Sequence, residues 1–264
     1  MKQTAILVVS FGSTHLDTLE KCIVATEQAI ASRFPELPLY RAFTSNIVIR
    51  RLKEQQDIAV DTVKEALERI KREDITHVVV QPTLILGGIE YDLLKKAAKK
   101  VPELQVEIGR PLILNEEDCT AVAQILQDEN PLEADETLML MGHGTEHQAN
   151  DIYALLQKKL DERNYNCIVG TVEGTPSFKD AVELLKQRGS SHAKLLPLMF
   201  VAGDHVKNDM VGNEEDSLLT LVQSAGVKVK PVIRGLGESA AIREAYILRT
   251  KEAIDRLQKQ VCHE

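Results

Sequence analysis

Three side chains of metal-binding type stand at one kind of place in the second half of the chain. His143 follows the apolar run TLMLMG (137–142), Glu173 ends the run IVGTVE (168–173), and His205 lies just past KLLPLMFVA (194–202). Each run is short and apolar, as a buried parallel strand is. In open α/β sheets, ligands bind outside the carboxyl ends of the strands. Two imidazoles and a carboxylate at such an edge suit a borderline divalent cation such as Co2+, Ni2+, Fe2+ or Zn2+. Three protein ligands also leave coordination positions open, the catalytic rather than the structural arrangement.

The first half of the chain carries a related pattern. SFGSTH (10–15) aligns with GHGTEH (142–147), FTS (43–45) with VEG (172–174), Gly88-Ile89-Glu90 with Gly203-Asp204-His205, and Pro111 with Pro231, in the same order. Such a repeat predicts two similar βα lobes. At the matched places the first lobe offers Phe11, Thr44 and Glu90 where the second offers His143, Glu173 and His205. Plainer roles exist for each residue. A histidine after a strand is commonly a surface or hydrogen-bonded group, and His147 reads either as a helix-start residue or as a partner behind the ligands. His15, His77, His192 and His263 have no partner in the pattern. Glu173 can favour the start of the next helix. Gly12, Gly87, Gly88, Gly144 and Gly203 can be turn residues. The shared sheet edge is what sets the trio apart. The loop SFGST (10–14) looks like a phosphate cradle but lacks both G-x-G-x-x-G and the Walker lysine, so no nucleotide is expected.

The elements that must position these residues alternate strictly. Strands are expected at 4–10, 37–43, 76–86, 104–111, 137–142, 168–173, 194–202 and 227–233. Helices are expected at 17–34, 47–52, 61–72 with Asp61 as its cap, 91–101, 116–127, 150–162, 177–188, 217–225 and 239–260. That order predicts an α/β fold of parallel sheets wrapped by helices. The repeat predicts lobes at 1–130 and 131–264, the second carrying the metal ligands.

Composition narrows the class further. A chain of 264 residues can bury a core without staples, and 44% hydrophobic with 27% charged residues is ordinary for a globular protein. Acidic residues outnumber basic ones, 40 to 32, for a net charge of −8. With no Lys/Arg block, nucleic acid is not an expected partner. No apolar run approaches the roughly 20 residues of a membrane helix, and the N-terminal stretch is too short for a signal peptide. No membrane association and a cytoplasmic location are expected. Cys22, Cys119, Cys167 and Cys262 are scattered without a C-x-x-C pair, which argues against structural zinc and disulfides. Homo-oligomerisation stays open, because the long last helix can pack on either lobe or on a second copy.

Several stretches resemble the anaerobic, class II sirohydrochlorin cobaltochelatases: VVSFGS (8–13), RAFTS (41–45), MGHG (141–144), VE (172–173), PLMFVAGDHVKNDM (197–210) and GLGE (235–238). The resemblance runs essentially end to end. It implies a ferrochelatase-like fold of two Rossmann-like lobes with the active-site cleft between them. It implies insertion of Co2+ into sirohydrochlorin, or its precorrin-2 relative, in anaerobic cobalamin biosynthesis, without ATP. The family's His-Glu-His ligands fall on His143, Glu173 and His205. The family tends to carry a histidine shortly before its Gly-x-Glu-Tyr segment; here Gly88-Ile89-Glu90-Tyr91 is present but Leu84 stands at the upstream position.

Insertion exchanges two pyrrole protons for one divalent cation. On this reading His143 serves as ligand and proton acceptor, in ordered or shared steps, and Glu90 is the second base. Ser10, Phe11, Gly12, Ser13, Thr14, Thr44, Ser45 and Gly88 are the candidate ring-binding residues. The ring is a polycarboxylate and the chain is acidic, so local cations must offset the repulsion; Arg41, Arg50, Arg51, Lys207 and Arg234 are the candidates. The metal is substrate, with Co2+ favoured and Fe2+, Ni2+ or Zn2+ as alternatives. Iron or nickel insertion into the same ring, a non-catalytic two-lobe metal-binding protein, and a metallohydrolase drawing on His147 and Asp204 are the competing readings.

Overall fold

The computed structural model describes residues 4–261, so Cys262 and His263 lie outside the described residues. It divides into two compact units: Met1–Leu112 with Gly237–Glu264, and Ile113–Leu236. The division differs from the 1–130 and 131–264 read from the repeat: the break falls after Leu112, so that residues 116–129 join the second unit, and the last helix returns to the first.

The first unit alternates β1 (Thr4–Ser10), α1 (Leu16–Thr18), α2 (Ala25–Arg33), β2 (Leu39–Phe43), α3 (Asn46–Gln56), β3 (Asp61–Thr62), α4 (Val63–Arg72), β4 (His77–Pro82), α5 (Ile89–Ala98) and β5 (Gln105–Ile108). A π-helical stretch, Leu19–Val24, joins α1 to α2. The sheet is parallel throughout, in the order β3-β2-β1-β4-β5. Central β1 shows why its run is continuously apolar. Side chains alternate across a strand. Ala5, Leu7 and Val9 pack with Val63, Leu67, Ile70 and Leu94 of α4 and α5 on one face. Ile6 and Val8 pack with Ile30 of α2 on the other. Each such side chain contributes about 1.5–3 kcal/mol by leaving water.

The second unit runs α6 (Glu116–Glu129), β6 (Glu136–Gly142), α7 (Asp151–Glu162), β7 (Cys167–Thr171), α8 (Phe178–Arg188), β8 (His192–Pro197), α9 (Leu218–Ser224) and β9 (Lys228–Pro231). Its parallel sheet has the order β7-β6-β8-β9. This is the order β2-β1-β4-β5 of the first unit, which bears out the repeat strand for strand. The first unit adds α3 and β3 to the shared plan. α10 (Ala240–Val261) closes the first unit, sending Ile247, Ala253, Ile254 and Leu257 into the cluster around Ile6 and Val8.

Two local readings are corrected. The cap of α4 is Thr62, not Asp61: Thr62 accepts from the Glu65 amide while the Glu65 carboxylate accepts from the Thr62 amide, a capping box. Asp61 instead pairs with Arg69. The runs at 76–86 and 194–202 are strand only as far as Pro82 and Pro197, with one further bond beyond each, from Thr83 N to Val9 O and from Leu198 N to Met141 O. Among the described residues no helix is long and apolar enough to cross a membrane.

Candidate metal centre

Hydrogen bonding beyond the carboxyl ends of β6 and β7 positions two of the three predicted ligands. Val172 N donates to Gly142 O, and Glu173 N donates to His143 O at 2.8 Å. The sheet ladder thus continues one step into the loops and sets His143 beside Glu173. Gly144 follows with φ of 83°, and a Cβ there would collide with the Gly174 backbone; only glycine lets the two loops close. Its amide donates to the hydroxyl oxygen of buried Tyr153, 3.2 Å away. Burial also raises the pKa of that hydroxyl.

His205 arrives from the third strand by another route. β8 ends at Pro197, the loop crosses Gly203, and His205 begins a π-helical turn, Val206–Met210. Val206 and Met210 are fully buried in the core of the second unit, which anchors the turn. The turn was not legible in the sequence.

The two histidines meet. His143 Nε2 lies 3.2 Å from His205 Nε2, with the rings nearly perpendicular and their centroids 4.5 Å apart. The opposite nitrogens are both engaged: His143 Nδ1 lies 3.0 Å from Gly144 O, and His205 Nδ1 lies 2.7 Å from Asp209 Oδ2. In neutral rings both Nδ1 atoms then carry the proton, and both Nε2 lone pairs face each other. Two such lone pairs repel unless a cation lies between them. A cation with metal–nitrogen bonds of about 2.0–2.1 Å holds two cis nitrogens about 2.9–3.4 Å apart, and the observed spacing falls inside that range.

Glu173 does not complete the set in this geometry. Its carboxylate is 3.9 Å from His143 Nδ1, on the ring nitrogen away from His205. Among the described residues no three His, Cys, Asp or Glu side chains converge on one point. The Glu173 side chain is 62% exposed, so turning it costs only rotamer preference. His147 takes its plainer role, its Nδ1 accepting from the Ala149 amide at the start of the turn Gln148–Asn150.

The first unit carries the other predicted residues at its own carboxyl edge. Phe11 follows β1 and is 48% exposed. Thr44 and Ser45 follow β2, their amides bonded to Ser10 O and Phe11 O. The Thr44 hydroxyl is buried without a hydrogen-bond partner. Gly88 precedes α5, with partly buried Glu90 in its first turn. Three of the hydroxyls make internal hydrogen bonds. Ser10 is 1% exposed and bonds the Thr83 hydroxyl at 2.7 Å. Buried Ser13 accepts from the His15 amide, and Ser45 caps α3. Thr14 offers its carbonyl to Gln56, and Gly12 is buried beneath Phe11 in sequence. Leu84 is 9% exposed, a core residue. Sequence reasoning missed Ile47 and Ile89, each more than half exposed at the starts of α3 and α5. An isoleucine at a helix start beside a candidate loop was the available signal.

The candidate cations divide. Arg41 is committed to buried Glu27, its Nε 2.8 Å from one carboxylate oxygen. That contact, with the carboxylate's charge, raises the Arg41 pKa, while desolvation raises that of Glu27. Arg234 bonds Asn130 and lies 3.7 Å from Glu129. Arg50 and Arg51 are exposed on α3, and Lys207 on the π turn.

A model of the cobalt chelatase (CbiK) family matches residues 4–255. The chain belongs to this family. It is 35% identical to the sirohydrochlorin cobaltochelatase of Salmonella typhimurium over 254 residues, covering 95% of this chain and 96% of that one. It is 29% identical over 263 residues to the sirohydrochlorin cobaltochelatase CbiKC of Nitratidesulfovibrio vulgaris, covering 97% and 93%. The fold is that of SirB from Bacillus subtilis with Fe3+, at a TM-score of 0.67, 17% identity and 98% coverage of both chains. SirB from Bacillus subtilis subspecies spizizenii in complex with cobalt matches at 0.62 and 16% identity, again with 98% of each chain covered.

Proposed function

We propose that this cobalt chelatase inserts Co2+ into sirohydrochlorin, or its precorrin-2 relative, without ATP, as a step of anaerobic cobalamin biosynthesis. The observation that carries the reading is the pair of Nε2 atoms of His143 and His205, 3.2 Å apart at a sheet's carboxyl edge, in a chain of this family. In this reading the two imidazoles hold the cation substrate through Nε2, and Glu173 turns to supply an anionic third ligand. Positions left open accept the ring nitrogens. Transfer to the ring frees His143 Nε2, which then takes a pyrrole proton. The order matters, since one lone pair cannot bind metal and proton together. Glu90, on the first unit, accepts the second proton; such help contributes about 10²–10⁴-fold.

The exposed apolar side chains of Phe11, Ile47 and Ile89 give the ring a surface beyond three adjacent strands, β1, β2 and β4. Stacking a flat ring there removes apolar area from water. Exposed Arg50, on α3, supplies a cation for its carboxylates. The buried thiols of Cys22, Cys119 and Cys167, none in a disulfide among the described residues, suit a reducing cytoplasm.

The test is absorbance during anaerobic mixing of protein, sirohydrochlorin and Co2+ without ATP. A shift to the metallated spectrum faster than the protein-free control is expected, and Fe2+, Ni2+ and Zn2+ in parallel rank the metals. No acceleration, with Co2+ still bound, would leave a metal-binding protein rather than a chelatase.

A further inference from the structure

His205 is backed by a carboxylate that neither the repeat nor the ligand set calls for. Asp209 Oδ2 lies 2.7 Å from His205 Nδ1. An ionised carboxylate only accepts, so the Nδ1 of a neutral His205 must donate and its Nε2 must be bare. That bare nitrogen is the one turned toward His143. A carboxylate behind an imidazole also raises its basicity as a ligand, and removing such a partner costs 10–100-fold in metal affinity. His143 Nδ1 instead hydrogen-bonds the neutral carbonyl of Gly144 at 3.0 Å, with the Glu173 carboxylate farther off at 3.9 Å.

The backbone keeps Asp209 in place. The π turn is pinned by buried Val206 and Met210 and closed by the Gly212 amide, which donates to Asn208 O at 3.0 Å. A Cβ on Gly212 would run into that same carbonyl, so the closure requires glycine. Single π turns of this kind recur at functional sites. The wider turn here carries ligand and carboxylate on one rigid element.

We infer that Asp209 is a positioning residue, which fixes His205 in its Nδ1–H tautomer and so makes Nε2 a stronger donor for the cation substrate. The inference rests on the reading of His205 as a ligand. It is tested on the full chain without tetrapyrrole, by titrating Co2+ into the parent and the His205→Ala, Asp209→Ala and Asp209→Asn variants. The tautomer of His205 is followed alongside from imidazole 15N shifts in histidine-labelled protein. Asp209→Ala is expected to weaken Co2+ binding 10–100-fold and to shift His205 away from the pure Nδ1–H form. Asp209→Asn, whose amide oxygen can still accept, should lose less, and it serves should the alanine variant fail to fold. Weaker binding in His205→Ala with parental affinity in both Asp209 variants would overturn the inference and leave the ligand assignment standing. So would weaker binding in an Asp209 variant with the His205 tautomer unchanged. Parental affinity in His205→Ala would overturn the ligand assignment itself.

Discussion

Each site residue has a distinguishable task, and substitution separates them. His143→Ala should remove one of two nitrogen donors and lower both Co2+ affinity and insertion by at least 100-fold. Its side chain is 45% exposed, so the fold should change by no more than about 0.5 kcal/mol, as thermal unfolding would show. Glu90→Gln should instead slow insertion by about 100-fold with Co2+ affinity unchanged in direct titration. A lost affinity would make Glu90 a ligand. Arg41 carries a second prediction. It reads in the sequence as a cation for ring carboxylates, but it is the partner of Glu27, whose side chain is 8% exposed. Arg41→Ala should strand that carboxylate and cost about 3 kcal/mol, the low end for a broken buried pair because Arg41 is itself 30% exposed. Chemical denaturation measures this, and a raised KM for the ring at parental stability would restore the binding role. The carboxylate of Glu173 stays on the far side of the His143 ring, but the approach of His143 to His205 was legible, because the repeat set both at equivalent strand ends. The commitments of Arg41, Ser10 and Ser45 were not, because each is made to a residue distant in sequence or to a local turn.

At the level of elements, the regular parts were legible and the irregular ones were not. β1 falls where its apolar run predicts, since burial on both faces demands continuous hydrophobicity. The π turn after His205 has no such pattern, because its residues serve a wider backbone turn and not a helical stripe. The start of α4 fell between the two. Asp61 and Thr62 are both acceptable caps, and only the Glu three residues beyond Thr62 decides between them. The Thr62 amide and hydroxyl hold the Glu65 carboxyl below its usual pKa. A depressed folded pKa stabilises the chain above the ordinary glutamate range and loses that stabilisation as pH falls through the folded value. Thr62→Ala should therefore cost about 1 kcal/mol near neutrality. The difference from the parent should shrink in acid, read as unfolding midpoints at neutral and acidic pH. An undiminished difference in acid would assign the cost to the hydroxyl cap alone.

The whole molecule is threaded so that the last helix completes the first unit while the proposed ligands all lie in the second, Ile113–Leu236. Tyr246 of α10 is fully buried and its hydroxyl donates to Leu84 O. Arg249 reaches Pro111 O and Leu112 O from the same helix. Tyr246→Ala should open a cavity and orphan that carbonyl, costing about 3–5 kcal/mol. Cation binding acts on different residues. Co2+ at 100 times its Kd stabilises the state that binds it by about 2.7 kcal/mol, and the contacts proposed for it belong to the loops after β6, β7 and β8. Amide hydrogen exchange resolves the two effects along the chain. Tyr246→Ala should speed exchange in β1, β4 and α10, and Co2+ should slow it around residues 143–150 and 203–212. Protection by Co2+ confined to the first unit would move the cation off His143 and His205. An unchanged rate in β4 of the Tyr246 variant would show that α10 is not what secures that strand.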